Sequence, residues 1–317
     1  MESFNGSTTA QEVAAAFATD ITSKTILMTG CSEGSLGAEA AKHLAFAKHL
    51  ILVGRNEAKI APVIKKIRAL NPGGKTTFVQ ADLASNESVR QAAAKINSLV
   101  GLNTIDIVIN AAGNMAVRNY TTSNDGIELQ FAANHLGHFL LTKLILPKVL
   151  AAPAPTVVNL TSTGYELGEV KFEDINFEGG ESYHPWTAYA QAKTANILHA
   201  AGLRYKFGDE GLAAFAVHPG YVPGSQLQTT NGVDMDLMIE GYKLAVSRNG
   251  GQEVPPPATR TLEEGSATIL LAALDPSLRE KSPALLFEGQ VDAGIKDYAI
   301  NRQNAEKLWA LSENLTQ

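Results

Sequence analysis

Cysteine is almost absent from this 317-residue chain. Cys31 stands alone, which excludes an internal disulfide and a thiolate metal cluster. A basic excess is missing too: 26 lysines and arginines against 32 aspartates and glutamates leave a net charge of −6, the wrong sign for a nucleic-acid footprint. No apolar run reaches the ~18 residues of a membrane span. The most apolar stretch, Phe139 to Leu150, is broken by Lys143, Pro147 and Lys148. The first residues lack a basic segment followed by an apolar run, so no secretory leader is expected and a cytoplasmic location is. Internal repeats and low-complexity tracts are also missing.

What is present fits a globular protein with a large core, at 45% hydrophobic and 18% charged residues. Thr9-Ala-Gln-Glu12 reads as a capping box opening a first helix in an N-terminal arm, residues 1–20. From residue 21 to 317 one domain is expected. Strand-length apolar runs stand at Thr25–Met28, Leu50–Val53, Thr77–Val79, Ile105–Ile109, Thr156–Leu160 and Ala213–Val217, with a weaker one at Leu285–Phe287. Helical segments alternate with them at Gly37–Ala47, Lys59–Ala69, Glu87–Leu99, Gly126–Leu150, Thr187–Phe207 and Thr261–Ala273, and an amphipathic helix closes the chain at Asn304–Leu315. That alternation predicts an α/β fold of the Rossmann type, a doubly wound parallel sheet with helices on both faces. The strands are continuous apolar runs, as doubly covered strands should be. Two long loops interrupt the rhythm: Gly164 to Trp186, and Pro223 to about Pro257, ending in Pro255-Pro-Pro257. The second is expected to be a lid or substrate insertion.

The first strand runs into Thr29-Gly-Cys-Ser-Glu-Gly-Ser-Leu-Gly37 and then a helix. A strand, a glycine turn and a helix N-terminus place backbone N–H groups against a diphosphate. The same residues also match a G-x-S-x-G nucleophile elbow at Ser32, with His218 as a distant base. That serine-hydrolase alternative is disfavoured, because the turn follows the first strand and no paired acid is marked. Gly73-Gly-Lys-Thr76 resembles the tail of a P-loop but lacks its leading glycine, so it reads as a turn. His135 and His138 have no carboxylate partner in sequence and are expected to pack; no metal is expected. At the end of the second strand, Val53-Gly54-Arg55-Asn56 offers an arginine and no acid. Arg55 therefore suits the 2′-phosphate of NADP(H), and NAD(H) is the less favoured cofactor.

Tyr189-Ala-Gln-Ala-Lys193 opens a long helix, and residues four apart share one face. A neighbouring cation lowers a phenol's pKa toward the working range of a base. From about Thr25 to Gln290 the chain resembles the short-chain dehydrogenase/reductase family, motif by motif and in the family's order. After the glycine turn come Ala81-Asp82-Leu83, Asn110-Ala-Ala-Gly113, Asn134 in Ala-Asn-His-Leu-Gly-His, Ser162 in Val-Asn-Leu-Thr-Ser, Tyr189 with Lys193, and His218-Pro-Gly220. The segments Asn134–Leu141 and Tyr189–Leu198, and the wide Ser162–Tyr189 separation, resemble its retinol-dehydrogenase-like branch.

The resemblance implies hydride transfer between the nicotinamide and a carbonyl or alcohol. Ser162 would hold the substrate oxygen, and Tyr189 would move the proton. Lys193 would lower the tyrosine's pKa and hold the ribose, while Asn134 would position a water leading to Lys193. It further implies cofactor contacts at Gly30, Ser32, Gly34, Leu36, Gly37, Arg55, Asp82, Leu83, Asn110, Gly113, Tyr189, Lys193 and Val222. Two features depart from the family: the turn is one residue longer than T-G-x-x-x-G-x-G, and the threonine common after Pro-Gly is missing, leaving only Ser225. These departures keep a second alternative open, a nucleotide-binding protein of the same fold with a regulatory or scaffold role. The expected partner is an apolar small-molecule substrate lined by Tyr165, Phe177, Trp186, Tyr221, Leu227, Met235, Met238 and Tyr242. No nucleic acid is expected, and assembly into a homo-oligomer stays open.

Overall fold

The computed structural model describes residues 4–230, 232–255 and 258–317. Its centre is an eight-stranded sheet: β1 (Thr25–Thr29), β2 (His49–Gly54), β3 (Lys75–Gln80), β4 (Ile107–Asn110), β5 (Thr156–Leu160), β6 (Ala213–His218), β7 (Ala284–Phe287) and β8 (Gln290–Val291). The spatial order is β3-β2-β1-β4-β5-β6-β7-β8, parallel through β7, with β8 turning back antiparallel. The described helices are α1 (Ala10–Ala16), α2 (Ala18–Ile21), α3 (Leu36–His43), α4 (Glu57–Leu70), α5 (Asn86–Asn97), α6 (Leu129–Phe131), α7 (Gly137–Leu150), α8 (Pro185–Phe207), α9 (Gln226–Thr230), α10 (Met235–Arg248), α11 (Leu262–Leu274) and α12 (Arg302–Leu315).

Alternate strand residues point to opposite faces, so two cores form. One joins Ile26, Met28, Leu50, Leu52 and Phe215 to α1, α3, α4 and α11. The other joins Leu27, Ile51, Val108, Val157 and Ala214 to α5, α7 and α8. The capping box is present, with Thr9 Oγ1 accepting from Glu12 N–H and Glu12 Oε2 from Thr9 N–H. The last helix, α12, docks outside α8 through Leu308 and Trp309.

Three expectations need correction. Strand β3 is not doubly covered: as the sheet edge it leaves Lys75 and Gln80 exposed and buries only Val79 fully. The helix expected from Gly126 starts later, because Gly126 sits at φ +76 in a turn and Glu128 caps α6. That segment then widens into a π-turn at Ala132–Leu136 before α7 begins. The segment from Pro223 is not a structureless loop but carries α9 and α10, of which α10 has Asp234 as its N-cap. Of the proline stop, Pro256 and Pro257 lie outside the described residues.

Because the chain runs β1, β2, β3 and then returns to β4 on the other side of β1, adjacent loops diverge above β1 and β4. A cleft forms there at the carboxyl ends of the strands. Close approach around it depends on Gly137, the glycine of Ala-Asn-His-Leu-Gly-His. A Cβ on Gly137 would collide with the Leu83 carbonyl oxygen and lie 2.7 Å from the Leu83 Cβ. Gly137→Ala should therefore cost about 2–3 kcal/mol of stability. Chemical denaturation would measure it, and an unchanged midpoint would refute this packing argument.

Candidate active site

A cavity of about 400 Å³ opens in that cleft, and the loops after β1, β2, β3, β4, β5 and β6 all line it. From the first turn it takes Gly30, Cys31, Ser32, Ser35, Leu36 and Gly37. The extra residue of the turn is accommodated on its outer side. Glu33 and Gly34 are exposed; the Glu33 N–H donates to the Lys59 carbonyl, and Gly34 takes φ +80 with open space where a Cβ would be. Ser35 closes the inner side, donating to the Gly30 carbonyl at 2.7 Å and capping α3 by accepting from Ala38 N–H. Gly30 and Gly37 are required by packing. A Cβ on Gly30 would lie 2.5 Å from Ala112 N, and one on Gly37 2.6 Å from Gly30 O.

Arg55, Asn56 and Lys59 line the far end, with Asp82 and Leu83 beside them. Arg55 and Lys59 are exposed, and neither forms an ion pair among the described residues. At the other end stand Ser162, Tyr189 and Lys193. Ser162 leaves the end of β5, Tyr189 and Lys193 lie one turn apart on α8, and both α8 side chains are almost fully buried. Ser162 Oγ accepts from Gly164 N–H at 3.0 Å and lies near enough to the Tyr189 hydroxyl to favour its ionised form. Lys193 Nζ donates to the Leu160 carbonyl at 3.2 Å and lies 5.4 Å from the centre of the Tyr189 ring.

The sign of the tyrosine's shift differs from expectation. Burial pushes Tyr189 up to about 12, opposed only in part by the neighbouring Ser162 side chain. Burial also pushes Lys193 down, to about 8. Desolvation penalises the charged form of each group and is the main cause of both shifts.

A family model for short chain dehydrogenases matches residues 24–235. The chain belongs to the short-chain dehydrogenase family. Within it, the retinol-dehydrogenase-like branch is near. Human retinol dehydrogenase 13 is 37% identical over 307 residues, covering 93% of this chain and 85% of that protein. The oxidoreductase fscI of Fusarium equiseti is 35% identical over 245 residues, 68% of this chain and 94% of that one. Among solved structures, an uncharacterized protein from Mycobacterium Paratuberculosis superposes with a TM-score of 0.69 at 30% identity, covering 94% and 96% of the two chains. The short-chain dehydrogenase fold is also shared by the NADPH-bound carbonyl reductase from chicken fatty liver, at TM-score 0.59 and 19% identity over 86% and 99%. This short-chain dehydrogenase is thus an oxidoreductase of a family that binds a nicotinamide cofactor.

Not every residue implied by the family's motifs reaches the cavity. Gly113 and Val222 line it, but Asn110, Gly34 and Asn134 do not. Asn110 points into the core, its Nδ2 donating to Asn159 Oδ1 at 2.9 Å and Thr142 Oγ1 at 3.2 Å. Asn134 stands behind Gly113 with both ends of its amide engaged: Oδ1 accepts from Asn114 N–H, and Nδ2 donates to the Asn114 carbonyl. Its side chain thereby fixes Asn114, which does line the cavity.

Of the eight expected substrate-side residues, Tyr221 and Leu227 line the cavity and the other six do not. Tyr165 and Phe177 are buried elsewhere, while Met235 and Tyr242 face outward. Trp186 instead anchors the insertion, donating from Nε1 to the Leu237 carbonyl at 2.6 Å, with Met238 packed against the same cluster. Ser32 is not paired with His218, whose two ring nitrogens have no hydrogen-bond partner among the described residues. The hydrolase alternative thus lacks its nucleophile–base pair.

The cavity is also lined by Ser35, Lys59, Asn114 and Met115, which belong to no expected site. Ser35 was legible as an N-cap and Lys59 as a second cation four residues after Arg55. The other two carry no spacing signal. Among the described residues, no helix is long and apolar enough to cross a membrane.

Proposed function

We propose that this short-chain dehydrogenase is an NADP(H)-dependent carbonyl reductase or alcohol dehydrogenase for a mostly apolar small molecule. The observation that carries the proposal is one cavity holding both the glycine turn with Arg55 and the Ser162–Tyr189–Lys193 group. A dinucleotide fits this donor set. Gly30 and Gly37 let the turn close against its neighbours, Asp82 and Leu83 bound the adenine end, and Arg55 with Lys59 offers two free cations for a phosphate. The nicotinamide supplies the hydride when bound. The chain's own residues do the rest. Ser162 donates to the substrate oxygen, stabilising the charge that develops there. Tyr189 delivers its phenolic proton to that oxygen, and Lys193 holds the ribose and stabilises the phenolate left behind.

Burial keeps Tyr189 protonated through neutral pH, the state in which it can donate to a carbonyl oxygen. Lys193 must stay charged for that step, and its pKa is depressed to about 8. Carbonyl reduction should therefore be level through neutral pH and fall as pH rises through about 8. A pH–rate profile for reduction that climbs above pH 8 would contradict this assignment. Fluorescence titration with NADPH, followed by a screen of ketones and aldehydes, tests the function itself. Tight NADPH binding without turnover on any of them would favour the regulatory alternative, for which the longer glycine turn is the motive.

A further inference from the structure

His138 lies on α7, one turn after Asn134, and is fully buried. Its Nδ1 is 2.9 Å from the Asn134 main-chain oxygen, and its Nε2 is 2.8 Å from Thr29 Oγ1. A carbonyl oxygen only accepts, so Nδ1 must carry the hydrogen. Burial pushes the ring's pKa down to about 4, so it is neutral and Nε2 is an acceptor. Thr29 must then donate its hydroxyl hydrogen to Nε2. The oxygen's remaining capacity is used as well, since it accepts from Ala111 N–H at 2.9 Å and Ala112 N–H at 3.0 Å. Every donor and acceptor in this chain of contacts is matched in a single arrangement. A fully satisfied buried network of this kind specifies geometry.

We propose that His138 is a positioning residue for the reaction: it ties the π-turn carrying Asn134 to Thr29 at the foot of the glycine turn, and so fixes the Asn114 wall of the cavity against the cofactor turn. The path is continuous. Thr29 ends β1 directly before Gly30, and Ala111 and Ala112 begin the loop to Gly113. Asn134 passes the constraint to Asn114 through both ends of its amide. Gly113 stands between: a Cβ there would be 2.9 Å from Asn134 Oδ1 and 3.7 Å from Lys193 Nζ. A shift of Asn134 therefore reaches the lysine beside the proton-moving tyrosine. The inference rests on the oxidoreductase reading, and its role is geometric; His138 does not line the cavity.

The test compares three variants for NADPH dissociation constant and for turnover. His138→Gln keeps one donor and one acceptor and should retain turnover within about threefold of the parent. His138→Asn is too short to bond both neighbours, and His138→Phe bonds neither. Both should lose turnover, about tenfold or more for Phe, as the displaced wall misorients the reacting groups. In each variant that folds, the NADPH dissociation constant should stay within about threefold, because Thr29 still bonds Ala111 and Ala112. If Phe does not fold, the Asn and Gln pair decides alone. Equal turnover in Gln and Asn would overturn the proposal. So would a loss that appears only as weaker NADPH binding. A parent protein that binds no NADPH would instead refute the function on which the inference rests, and that control is read first.

Discussion

Tyr189→Phe should bind NADPH as the parent does and lose turnover by about 10²–10⁴-fold, the range a positioned general acid contributes. The substitution removes one oxygen and nothing else. The ring is buried against Trp186 and Leu237, a cluster that phenylalanine fills equally well, so the fold should persist. What disappears is the hydroxyl beside Ser162, which in the proposed mechanism gives its proton to the reduced oxygen. The measurement is a paired one: fluorescence titration for the cofactor and steady-state reduction of a ketone found in the screen. Turnover retained within a few-fold would sink the assignment of Tyr189. A parallel loss of cofactor binding would mean that the hydroxyl shapes the site and does not merely react in it.

Arg55→Ala is the second large effect. Removing a charge-assisted contact costs about 1.5–3 kcal/mol, so the NADPH dissociation constant should rise about tenfold or more, while that for NADH stays within about twofold. The selectivity is the informative part, because only NADPH carries the 2′-phosphate. Arg55 and Lys59 leave consecutive stretches of chain: Arg55 follows β2, Asn56 caps α4, and Lys59 lies in its first turn. The phosphate would thus meet two cations and the amino end of a helix together. Lys59→Ala should weaken NADPH in the same sense and by less. Equal weakening of both nucleotides by Arg55→Ala would remove the basis for the NADP(H) preference.

Much of this was readable in the chain. The strands were legible because a parallel sheet covered on both sides needs continuous apolar runs, and Thr25–Thr29, Thr156–Leu160 and Ala213–His218 are buried throughout. The rule failed at β3, where the edge position relaxes the requirement. The insertion after Pro223 was misread as loop because its helical residues follow turn signals at Pro223, Gly224 and Gly232, while α10 buries only Leu237 and Gly241 fully. A helix with so small a buried face shows little apolar periodicity.

The sequence by itself determined the family, the fold and the grouping of Ser162, Tyr189 and Lys193, since each depends on local chemistry: a glycine turn, a strand end, a spacing of four on a helix. Tertiary structure alone decided which way those groups are shifted and which motif residues line the cavity. Spacing placed Lys193 beside Tyr189 and implied an activated phenolate; burial of both reversed the sign. The family resemblance equally implied roles for Asn110 and Asn134, yet hydrogen bonds in the folded core tie one to Asn159 and the other to Asn114. Desolvation and hydrogen-bond pairing depend on what surrounds a residue in three dimensions, and that neighbourhood exists only once the chain has folded.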